Sequence, residues 1–132
     1  MRFPLLFPLV AALAASGGAA QAADGEVPAA PPFVPMAEVT VPIIDGPRAD
    51  GRLRFQLVLE ASDAAAAQAL AAAMPVLRAA AVSAGLEFAR LHASPRTPVD
   101  ARRLAAQVTA ALQAQRPGIR RVLLVKVLAG PA

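Results

Sequence analysis

Residues 52–61, RLRFQLVLEA, alternate apolar and polar side chains at the two-residue period of a strand. Leu53, Phe55, Leu57 and Leu59 share one face, while Arg52, Arg54, Gln56 and Glu60 share the other, with Val58 its only apolar member. Such a strand belongs to a sheet packed on one side and wet on the other. A helix start follows at once. Ser62 or Asp63 supplies an N-cap, and the alanine-rich run behind it has high helix propensity. One face of the sheet must therefore receive helices, and the other needs none.

Within that helix Leu70, Met74, Leu77 and Ala81 form a thin core-facing stripe. Pro75 has no N–H for the carbonyl of residue 71, so a kink or short break is expected there. Gly85 reads as the C-terminal stop. LEFARLHA, residues 86–93, reads as a short amphipathic helix. Thr97 as N-cap, Pro98 at the first helical position and Asp100 after them predict a third helix running to about Gln115. Leu104, Val108, Ala111 and Leu112 form its inner face, with Arg102 and Arg103 off that stripe. Pro117-Gly118 ends it.

Two further strands complete the set. VTVPIIDG, residues 39–46, is β-branched, and Pro42 confines it to an edge or the lead-in to one. DGPRADG, residues 45–51, reads as a hairpin loop. IRRVLLVKVLA, residues 119–129, is apolar on both faces, which suggests an inner strand or one whose second face meets a partner. The expected fold is α+β: a small antiparallel or mixed three-stranded sheet with two longer helices and one short helix on one face.

MRFPLLFPLVAALAASGGAAQA, residues 1–22, has the pattern of a secretory signal peptide. Arg2 precedes an apolar stretch, and Ala20-Gln21-Ala22 is a small-x-small site with cleavage expected between Ala22 and Ala23. As a helix, Phe3 to Ala15 would reach only about 20 Å, short of a bilayer core of ~30 Å, so no stable membrane span is expected. The expected compartment is the periplasm; the alternative is an inner-membrane anchor facing it. Residues 23–38 contain four prolines and read as a linker, leaving 39–132 as the domain.

Composition removes most chemistry. The chain of 132 residues has no cysteine and one histidine, His92, which excludes thiol nucleophiles, cysteine zinc sites and a multi-histidine metal site. A Ser/His/Asp triad from His92 with Ser62, Ser83 or Ser94 exists only on paper, since none lies in a nucleophile-elbow context. Asp45 and Asp50 flank a turn, and Glu60 and Asp63 flank a helix start, where carboxylates have ordinary structural uses. No phosphate loop, dinucleotide fingerprint or metal-spaced cluster is present. The expectation is a non-enzyme with no catalytic, cofactor or metal site. The formal charge is +4, and of thirteen Lys and Arg only Lys126 is lysine. These cations are scattered and aromatics are few, so nucleic acid is not an expected partner. Arg52 and Arg54 on the wet strand face, with Arg102 and Arg103 on the third helix, are the candidate partner-facing surface.

From about Val41 to Ala129 the pattern resembles the FliL family, the flagellar basal-body-associated proteins. The residues that carry it are RLRFQLVLEASD leading into a helix, MPVLRAAAV at 74–82 with Ala79 where the family has an acid, FARLHASP, the helix ARRLAAQVTAALQAQ, and the terminal strand after Pro-Gly. The resemblance implies a periplasmic domain of stomatin/prohibitin-like fold that self-associates, with flagellar motor or other envelope components as protein partners. Family members usually carry a full transmembrane helix, and this chain departs from them in its short, cleavable leader. A soluble periplasmic binding or adaptor module unrelated to motility is the alternative.

Overall fold

The sheet is organised around one long strand. In a computed structural model that describes residues 32–132, Arg48–Ala61 (β3) pairs antiparallel along both of its edges. On one edge lie Phe33–Pro35 (β1) against residues 58–60 and Val39–Asp45 (β2) against residues 48–55. On the other edge Ile119–Pro131 (β4) pairs from Gly51 to Ala61. Because β1 and β2 occupy the same edge in succession, four strands make a sheet three strands wide. The expected α+β class and antiparallel sheet are present.

Three helices follow β3: Ala64–Ala72 (α1), Met74–His92 (α2) and Ala101–Gln115 (α3). The side chain of Asp63 caps α1 by accepting from the Ala66 N–H at 2.7 Å. Pro75 acts as expected and breaks the run. It occupies the first turn of α2, where a missing N–H costs nothing, and α1 and α2 meet at 73°. The stripe continues past it, with Leu70, Leu77, Ala81, Phe88 and Ala89 all buried. These residues pack with Val39, Val41, Leu53, Phe55, Leu57 and Leu59 from the sheet, and with Leu104, Val108 and Leu112 from α3.

Several boundaries differ from the sequence reading. Gly85 does not stop a helix. It lies buried inside α2, where a Cβ would come within 2.7 Å of the Phe55 ring. Close packing of α2 on the sheet therefore outweighs the propensity cost of glycine, about 1 kcal/mol. The short helix expected at 86–93 is the end of α2, and the short helix of the set is α1. Thr97 and Pro98 do not begin α3. Asp100 caps it, accepting from the Arg103 N–H at 3.1 Å, while Thr97–Val99 line a cavity with Val127 and Ala129 of β4. The loop expected over 45–51 shrinks to Gly46-Pro47. Gly46 has φ +60 and the strands pair on either side of it, the pattern of a two-residue primed turn.

The linker reading also extended too far. Residues 32–38 belong to the folded unit: β1 pairs with β3, and Met36 is buried. Arg78 of α2 fastens this stretch, donating to the carbonyls of Ala37 at 2.7 Å and Glu38 at 2.9 Å. The signal-peptide reading of residues 1–22, with Ala22 and Ala23, and the linker residues 23–31 lie outside the described residues.

Candidate functional site

Among the described residues the helices cover one face of the sheet and leave the other open. Strand register specifies what that open face carries. Arg54 stands between Thr40 and Leu128, Arg52 between Pro42 and Gly130, and Gln56 beside Lys126. Farther along, Val58 lies between Pro35 and Leu123, and Glu60 between Phe33 and Arg121. The face therefore has a basic end, with Arg52 and Arg54 both exposed, and an end of mixed character with exposed Phe33 and half-buried Val58 and Leu123.

Two carboxylates on or beside this face, Glu60 and Glu38, are paired. Glu60 is only 5% exposed and accepts from Arg121 Nε at 2.7 Å. Glu38, just before β2, reaches across β3 to Lys126 Nζ at 2.8 Å. The hydrogen bond from Lys126 holds the Glu38 carboxyl below its ordinary range, and the charges of Lys126 and Arg54 act in the same direction. Among the described residues Arg52 and Arg54 form no ion pair. A cavity of about 270 Å³ lies over them, lined by Glu38, Thr40, Leu128 and residues 130–132 as well.

The four arginines singled out in the sequence are not one surface. Arg52 and Arg54 lie on the open sheet face, whereas Arg102 and Arg103 lie on the solvent side of α3 in the helix layer. Arg103 is engaged there, with Nη1 at 3.0 Å from His92 Nδ1 and Nε at 3.9 Å from Asp100. Since a guanidinium only donates, Nδ1 of His92 is the acceptor in that contact. The ring also packs beside Phe88 with centroids 5.6 Å apart. Ser94 Oγ accepts from the Arg96 N–H. These contacts assign His92, Ser94 and Asp63 to capping and loop order. Among the described residues no group of three or more acidic or histidine side chains is placed to hold a metal ion.

Among the described residues β4 is an edge strand, not an inner one. Its core-side residues Val122, Leu124, Val127 and Ala129 face the helix layer, and its second face carries Leu123 and Leu128. Register shifts leave Arg120 and Val125 unpaired with β3, as β-bulges. Val125 is 55% exposed and Leu128 47%. Sequence reasoning saw the two-faced apolar character of this strand but not its edge position.

A second surface was missed altogether. Pro42 and Ile44 of β2, Gly46, and Leu86 and Arg90 of α2 line a groove of about 370 Å³. The one sequence signal for it is the adjacent pair Ile43-Ile44, which no half-buried strand can bury together.

Among the described residues no single helix is long and apolar enough to cross a membrane. The bent pair α1 and α2 passes by length and composition, but its apolar stripe is buried against the sheet. No protein-family model matches the chain, and no curated protein matches it.

Proposed function

We propose that this chain is a non-enzymatic accessory protein of the bacterial periplasm that acts through self-association or protein binding. In the form that the FliL resemblance implies, it associates with the flagellar basal body. The observation that carries the reading is the open sheet face, bounded by a β4 edge that is unpaired among the described residues, with Val125 and Leu128 exposed. A strand so apolar on its outer side gains by meeting a protein surface. The engagement of His92, Ser94, Asp63 and Glu60 in structural contacts supports a role without bond chemistry.

The adaptor reading is favoured by one separate observation, the groove between β2 and α2. It runs beside a strand edge that pairs with nothing on its outer side among the described residues, and such an edge accepts an added strand.

Deleting the gene in the source bacterium and scoring swimming in soft agar separates the two. Reduced swimming with assembled flagella is expected for the basal-body form. Normal swimming retires that form and leaves the adaptor. Sedimentation of the purified domain over a wide concentration range tests self-association directly. N-terminal sequencing of the protein from a periplasmic fraction is expected to begin at Ala23, and an intact N-terminus in the membrane fraction would move the protein to the inner membrane.

A further inference from the structure

We infer that the basic end of the open sheet face, at Arg52 and Arg54, docks an acidic, extended segment of a partner protein. The inference rests on the reading that the chain works by binding protein, and names the chemistry of what is bound.

Charge complementarity specifies the occupant. The nearby carboxylates of Glu38 and Glu60 already have cationic partners in Lys126 and Arg121. Arg52 and Arg54 are the two cations of this face without an ion pair among the described residues. Glu38 lines the same cavity and feels the charge of Arg54, but its hydrogen bond is given to Lys126. An incoming carboxylate therefore meets two guanidinium groups, and Glu38, the acidic side chain that lines the cavity, is already held by Lys126. Each guanidinium offers a planar fork suited to two-point binding of a carboxylate.

Spacing specifies the shape. Two residues apart on one strand, Arg52 and Arg54 are separated by about 7 Å, and alternate side chains of any extended peptide share that repeat. Thr40 beside Arg54 supplies a hydroxyl, and Leu128 supplies an apolar wall. An extended segment with acidic side chains at every second position, and a small apolar residue toward Leu128, matches this end of the face. A second copy whose two-fold axis passes through this end does not, because it would set Arg52 and Arg54 against the same residues of its partner.

The test uses a labelled peptide alternating Glu and Val, titrated with the full chain and followed by fluorescence anisotropy. Binding is expected to saturate, to weaken with added salt, and to fall about tenfold or more in R52A/R54A. R102A/R103A is the internal control. It removes the same charge from the helix layer and is expected to change affinity less than about twofold. R52Q/R54Q repeats the first variant with longer polar side chains, and circular dichroism of both checks the fold. No saturable binding overturns the inference. Equal losses in the two arginine-pair variants would show a diffuse charge effect and also overturn it. So would a single-stranded oligonucleotide or an anionic vesicle that binds more tightly than the peptide through Arg52 and Arg54. Sedimentation of the same samples keeps the outcomes apart: self-association without peptide binding removes this inference alone and leaves the proposed function in place.

Discussion

Along β3 two rows of side chains of equal length face opposite ways. Leu53, Phe55, Leu57 and Leu59 are sealed beneath α2 and α3, while Arg52, Arg54, Gln56 and Val58, one residue out of step, stay exposed or half-exposed. The first row is demanded by the fold, since it supplies the surface on which the helices bury their stripe. The second row is not, because a sheet face in water tolerates almost any polar residue. Its particular residues, two arginines without an ion pair among the described residues beside the paired Glu38 and Glu60 and an exposed leucine, are therefore where selection for a partner would act.

The widest gap between the faces is expected from truncation. Phe55→Ala should cost about 3–5 kcal/mol in urea unfolding, whereas Gln56→Ala, on the next residue, should stay within about 0.5 kcal/mol. Comparable losses at the two positions would erase the distinction.

Gly85→Ala sharpens the comparison from the helix side. Helix propensity alone predicts a gain of about 1 kcal/mol, while crowding against the Phe55 ring predicts a loss of about 1–3 kcal/mol. A loss is expected. A gain would mean that α2 does not sit on the sheet this closely.

The fold was legible in the sequence where a pattern had one physical cause. The period of β3, the Asp63 cap and the effect of Pro75 each rest on a local rule, and each appears where expected. Gly85 was misread because a glycine that ends a helix and one that admits an aromatic ring look alike until the opposing strand is placed. Thr97 and Pro98 had the composition of a helix start, but the cap went to Asp100, and Thr97–Val99 lie by β4 instead. β1 was hidden among prolines, since three residues against one edge leave no periodicity to detect. Of the candidate surface, the exposure of Arg52 and Arg54 was readable from alternation. Their separation from Arg102 and Arg103 was not, because only the packing of α3 beneath the sheet sets the two pairs apart.

Smaller effects test the fastenings at the margin of the open face. Arg78→Met removes two hydrogen bonds to the Ala37 and Glu38 carbonyls and should cost about 1–2 kcal/mol, with faster amide exchange expected in β1. Asp63→Ala should cost about 1 kcal/mol by uncapping α1. The smallest effect belongs to the Glu38–Lys126 pair. The Glu38 carboxyl is lowered in the folded state, so its contribution is present above the ordinary carboxylate value of ~4.3 and is lost as pH falls through the lowered one. The difference in urea midpoint between the native chain and Glu38→Gln should therefore be small at neutral pH and vanish in acid.

The central claim is that the open face is not required for folding and is free to serve a partner. The urea midpoint of the combined variant R52A/R54A/L128S tests it most directly. The account predicts a midpoint shift that corresponds to no more than about 0.5 kcal/mol of unfolding free energy. A loss approaching that of Phe55→Ala would contradict it and return the open face to the fold.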